Sequence, residues 1–292
     1  MRARPVRNKR RERLQALAYA LLCVMVAAAG FVSVMLAASG TAGAAGAAGE
    51  SPVAAAAGGT VLPEPEITPT IAALTATPAG PTPTPTPAPT KAPYQVDLYR
   101  DGSFVSQMNR DYCTAGAIQN MVNIIGPTSD LTTARQQEIG NLVVSLTTRT
   151  DSLNGGFGPM GWALTMPRLG AGVGRYKLVV DDTFDKAMRD AAISLRANMR
   201  PVGLLTWWGA HSWVMSGFKA DDDPALFPKT FKLSGAFIVD PFYPRVSSIW
   251  GQTLPPDTFR DMAAMAHNYI GWKRPEGPYP GRDGKWLLVI PN

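Results

Sequence analysis

Cysteine and histidine are the scarce residues of this chain, whose 292 positions hold two of each: Cys23 and Cys113, His211 and His267. Cys23 falls in a long uncharged run, which leaves Cys113 as the one thiol elsewhere, too few for an internal disulfide. No Cys/His grouping has the spacing of a zinc site. The acidic run Asp221-Asp222-Asp223 lacks the glycine and downstream glutamate of a calcium-binding EF-hand loop, and it reads as a solvated turn. A Gly-x-x-x-x-Gly-Lys phosphate loop is missing as well. No metal and no cofactor is therefore expected. Positive charge is also absent from most of the chain, despite a net charge of +6. Residues 1–13 carry seven Lys or Arg against Glu12, and removing these from totals of 28 and 22 leaves 21 basic and 21 acidic side chains. Gripping nucleic acid requires clustered cations that displace counterions, so nucleic acid is excluded as a partner.

Behind the basic tip, residues 14–38 contain no charged side chain. That run exceeds the ~20 residues a helix needs to cross hydrocarbon and the ~7–15 apolar residues of a removable signal peptide. A retained, single-pass signal anchor is expected, with cleavage among the small residues 36–45 as the alternative. The Lys/Arg bias places residues 1–13 in the cytoplasm and everything after the helix outside it. Residues 39–94 turn Ala/Gly-rich and then Pro/Thr-rich, a disordered linker whose polyproline part rises about 3.1 Å per residue and forms a stalk. Residues 95–292 hold all seven tryptophans and are long enough for a single domain with a real core.

Within that domain Ile118, Met121, Val122 and Ile125 recur at helical spacing and the run stops at Gly126-Pro127, which predicts a helix with Cys113 at its start. Free N–H groups and the positive end of the helix dipole favour thiolate over thiol there. A small cysteine packed at a helix entrance is the competing reading. Gln107, six positions upstream, is placed for its amide to fold back beside the sulfur as an oxyanion donor.

Of the two histidines, His211 sits in residues 201–218, which read as two strands joined by a short turn. His211 opens the second, expected to be half-buried. Asp240-Pro241 ends the apolar run 236–239, and Asp240 is a candidate acceptor for the imidazole. His267 follows a helical-looking stretch from Asp257 and is expected to be structural. Residues 183–199 fit an amphipathic helix with Phe184, Met188, Ala191, Ala192 and Leu195 on one stripe. Trp207, Trp208 and residues 154–162 are candidates for the border of a cleft.

With Gln107, Cys113, His211, Gly217 and Asp240-Pro241 in this order, residues 95–292 resemble the C39-like branch of the papain-like cysteine peptidases. The resemblance implies an α+β fold of helices packed on an antiparallel sheet. It makes Cys113 the nucleophile, His211 general base and acid, Asp240 the orienter, and Gln107 with the Cys113 N–H the oxyanion hole. The family commonly has glycine after its cysteine; this chain has Thr114, whose side chain crowds the approach to the sulfur. The implied protein is a membrane-anchored, extracytoplasmic thiol peptidase acting on peptide or protein substrates, with contact to the cell wall as a further expectation. Two alternatives stand beside it: a cell-wall amidase or transpeptidase, and a non-catalytic peptide- or cell-wall-binding domain.

Overall fold

Strands made of consecutive apolar residues need cover on both faces, and the central strands of this protein have it. The computed structural model describes residues 88–170 and 172–292. The basic tip, the expected membrane helix and most of the linker lie outside the described residues. Among the described residues no helix is long and apolar enough to cross a membrane. Residues 88–93 are exposed coil, and the first strand begins at Tyr94.

The fold is α+β. Its strands are β1 (Tyr94–Asp97), β2 (Tyr176–Asp181), β3 (Val202–Thr206), β4 (His211–Ala220), β5 (Leu233–Val239), β8 (Thr258–Asp261) and β9 (Trp286–Pro291). They form one antiparallel sheet in the order β2-β9-β3-β4-β5-β8, with β1 also paired to β4. A separate small hairpin joins β6 (Val246–Ser247) to β7 (Gly251–Gln252). Strand β4 is the axis of the sheet. Its first half pairs with β3, from Thr206 opposite His211 to Val202 opposite Met215, and its second half pairs with β1. The changeover needs Gly217, because a Cβ there would lie 2.2 Å from the carbonyl oxygen of Val96.

Among the described residues five helices pack around the sheet: α1 (Cys113–Ile125), α2 (Thr133–Leu146), α3 (Pro159–Thr165), α4 (Phe184–Asn198) and α5 (Met262–Asn268). Period-2 alternation sends Leu204, Trp213, Met215, Ile238 and Leu288 into one core with α4 and α5, while Leu205, Val214, Val239, Leu287 and Val289 enter a second core with α1, α2 and α3. Strand β4 is thus buried on both faces rather than half-buried, because helices occupy the side expected to face water. Helix α4 matches its predicted stripe. Met188, Ala191, Ala192 and Leu195 are fully buried, and Thr183 caps the helix by accepting from the Lys186 N–H. Each large apolar side chain so buried contributes about 1.5–3 kcal/mol.

Three expectations need correction. The stretch from Asp257 is not continuously helical: residues 258–261 form edge strand β8 against β5, and α5 starts only at Met262, with Asp261 accepting from the Ala264 N–H at 2.8 Å. Pairing with β5 overrides the local pattern there. The acidic run is not merely solvated, since Asp222 is buried and pairs with Lys91, and Asp223 pairs with Arg196. Trp162, expected near a cleft border, lies wholly inside the second core.

Candidate active site

Helix α1 carries more polar groups on its buried surface than a core helix usually tolerates, and these fix its start. Asn120 accepts from the Val105 N–H at 2.7 Å and donates to the Val105 carbonyl at 3.0 Å, acting as a substitute strand for the incoming loop. Asn123 donates to the Ser103 carbonyl, and Gln136 of α2 accepts from the Met108 N–H. Arg245 donates to the carbonyls of Gln107 and Met108 from the other side. The chain reaching Cys113 is therefore clamped along its length. At Gly116 the helix touches what it must meet: a Cβ there would come within 3.0 Å of Pro241 and 3.2 Å of Gln107. Cys113 is the first residue of α1, and Gly116 N–H donates to the Tyr112 carbonyl at 2.8 Å as the first helical bond. The N–H groups of residues 113–115 are thus free of intrahelical partners.

His211 arrives from the opposite side. Strand β3 ends in a single 3-10 turn, Trp207–Gly209, in which all three residues have positive φ, 54°, 58° and 78°. The tight reversal delivers His211 as the first residue of β4, only 4% exposed. Its Nε2 lies 2.7 Å from Oδ1 of Asp240, itself 2% exposed just past β5. The same Oδ1 accepts from the Phe242 N–H at 2.8 Å, which fixes the carboxylate. With Nε2 committed to Asp240, Nδ1 is the nitrogen left for the sulfur of Cys113.

The electrostatics of the two groups are complementary. Burial pushes the Cys113 thiol up, but the hydrogen bond and charge of His211, followed by hydrogen bonds with Ser212 and Thr114, bring it below its ordinary value. Burial pushes the His211 imidazolium down, yet the charge and hydrogen bond of Asp240, then those of Cys113, raise it to about 9. Each group therefore favours the charged form of the other.

Two side chains sit otherwise than expected. Gln107 is fully buried, and its Nε2 donates to the carbonyls of Asn109 at 2.7 Å and Arg110 at 3.1 Å, so both amide hydrogens are occupied by the loop ahead of Cys113. As placed, it props that loop rather than offering a free donor. Its backbone N–H donates to the Pro241 carbonyl at 2.7 Å and ties the loop to the end of β5. Thr114 is not mere bulk: its Oγ1 lies 3.0 Å from the hydroxyl of Ser212, and both residues help to lower the Cys113 thiol. Ser212 was not singled out from the sequence. Its only signal there is its position next to His211.

Cys113 and His211 face a cleft of about 440 Å³. Asn154–Phe157, from the Gly-rich stretch, line one part of it, and Trp272, Arg274 and Glu276 another. The two loops also touch, through Leu153 N–H to the Tyr279 hydroxyl at 2.9 Å and Arg282 to Asp151 at 2.8 Å. His267 is exposed at the end of α5, apart from the cleft. Among the described residues no three His, Cys, Asp or Glu side chains gather as a metal-binding set. No protein-family model matches the chain, and a search of curated proteins returns no relative.

Proposed function

We propose that this chain is a thiol peptidase of the C39-like, papain-like kind, held outside the cell membrane by residues 14–38. The observation that carries the reading is the buried Asp240–His211 pair set against a cysteine at a helix N-terminus. The Cys113 thiolate attacks the substrate carbonyl carbon, and the electron pair moves to the oxygen. That oxyanion lies where the free N–H groups opening α1 can donate. His211 gives its proton to the leaving amine as the C–N bond breaks, leaving a thioester on Cys113. Water then attacks, passes a proton to His211, and releases the acid as the C–S bond breaks, restoring the ion pair. Gln107 joins the oxyanion hole only by exchanging one of its two carbonyl partners for substrate.

Thr114 supports rather than opposes this reading, because its hydroxyl is engaged with Ser212 beside the sulfur. The membrane placement rests on the uncharged run 14–38 behind the basic tip. Incubating the full chain with an unfolded protein and, separately, with purified peptidoglycan tests the reaction class. Peptide-bond cleavage that vanishes in Cys113→Ala is the expected result. Release of cell-wall fragments alone would favour the amidase alternative, and cleavage persisting in the Ala variant would remove Cys113 from the mechanism.

A further inference from the structure

The imidazole of His211 is held by more than Asp240. Its ring lies on the indole of Trp207 with centroids 4.2 Å apart and planes 20° from parallel. That indole stacks in turn with Trp250 of the β6–β7 hairpin, at 5.5 Å and 8°. Phe242 meets the imidazole edge-on at 5.9 Å. The indole edge is tethered too: Nε1 of Trp207 donates to Oδ1 of Asn268 at 3.1 Å, and Asn268 donates to the Ala264 carbonyl at 3.0 Å within α5. All of this hangs on an unusual backbone. Trp207 and Trp208 are consecutive bulky residues in the left-handed region, a conformation retained only where the surroundings over-determine it.

Stacking of this kind has two consequences for a ring that must carry a proton. It fixes the plane of the imidazole, so that Nε2 keeps facing Asp240 while Nδ1 keeps facing the sulfur. The electron-rich face of the indole also attracts the cationic form over the neutral one. We propose that Trp207, tethered by Asn268, is a positioning residue that sets the plane of the His211 ring and favours its protonated state without touching sulfur or substrate. This rests on the thiolate–imidazolium reading given above. The ionisable groups around the stack are Cys113 from α1 and Asp240 beyond β5, with Arg260 of β8 feeling the charge of Asp240 and His267 of α5 set edge-on to Trp250.

The test is the rate of Cys113 alkylation by iodoacetamide between pH 4 and 10 on the full-length chain. Mass spectrometry reads Cys113 separately from Cys23. The wild type is expected to alkylate with an onset below the ~8.5 of an ordinary thiol. Trp207→Leu is expected to move that onset up by about one pH unit, roughly a tenfold loss of rate on the rising limb. Trp207→Phe, which keeps a stacking face, should stay within about twofold of wild type, and Asn268→Leu should lose about threefold. A Trp207→Leu profile superimposed on wild type, with only the melting temperature lowered, would reduce Trp207 to packing. Should that variant fail to fold, Asn268→Leu decides on the same terms. A wild-type onset at the ordinary thiol value would sink the ion-pair reading itself, whereas a lowered wild-type onset with unmoved variants would sink this proposal alone.

Discussion

The two halves of the site are built in different ways. Cys113 sits on a helix whose approach loop is held by side-chain amides, Asn120, Asn123 and Gln136, each bonded to backbone groups that no strand or helix satisfies. His211 and Asp240 stand at the ends of β4 and β5, which are held by ladder pairing and apolar burial on both faces. A buried amide is worth little while paired and costs about 1–3 kcal/mol when its partner is lost, whereas a core leucine costs about 2–5 kcal/mol when truncated. The ends of β4 and β5 are therefore secured by ladder and core, whereas the loop that leads into Cys113 depends on a few polar contacts.

The largest effect is expected where the two halves meet. Asp240→Asn keeps the shape but removes the charge that opposes desolvation of the imidazolium, and on the proposed reading peptidase activity should fall by up to about four orders of magnitude, as when a buried orienting carboxylate is lost. For the wild type, kcat/KM should rise with pH as Cys113 ionises below the ordinary thiol value and fall again as His211 loses its proton near 9. In Asp240→Asn the falling limb should move to lower pH. An unchanged upper limb would detach Asp240 from His211.

Mutating the two halves separately sharpens the contrast. Leu204→Ala, in the sheet core, should lose about 2–5 kcal/mol in denaturant unfolding, while the folded fraction alkylates at Cys113 as before. Asn120→Ala should lose less, about 1–3 kcal/mol, yet alter Cys113 reactivity by loosening the loop. Equal effects of both variants on the thiol would erase the distinction. Smaller still, Ser212→Ala removes a hydroxyl that helps to lower the Cys113 thiol and should slow alkylation at pH 6 about threefold. Double substitution with Thr114→Val should go further, since the two hydroxyls bond each other.

The smallest effect lies away from the site. Asp257 bonds Ser216 at 2.8 Å beside Asp97, and burial, opposed by that bond, combines with the charges of Asp97 and Asp101 to push its carboxyl up to about 7. A folded-state value above the unfolded one means that the protonated carboxyl stabilises the fold at low pH, and that this support disappears as pH rises through about 7. Asp257→Asn should therefore leave the melting temperature nearly unchanged near pH 3, below the carboxyl's unfolded value, and raise it by roughly 2–4 °C at pH 8.

Much of this arrangement was legible in the sequence because it is local. The stripe on α4, the start of α1 at Cys113, the reversal before His211 and the strand end at Asp240 all follow from periodicity and turn residues. What escaped was long-range. Cover on both faces of β4 depends on helices distant in sequence, and β8 becomes a strand only because β5 offers an edge. Gln107 was read by its offset from Cys113, but its amide is claimed by two carbonyls within its own loop, a competition that spacing does not reveal. Thr114 was read as bulk; its meaning changes once Ser212 lies opposite its hydroxyl.

Nitrogen-detected NMR of the two histidines, followed from pH 5 to pH 10 in wild type and Cys113→Ala, examines the pairing of thiolate and imidazolium at its source. His211 should keep both ring protons until about pH 9 in the wild type and lose one at lower pH once the sulfur is gone. A His211 that deprotonates near 6.5 in both forms would mean that sulfur and ring stand side by side without sharing charge.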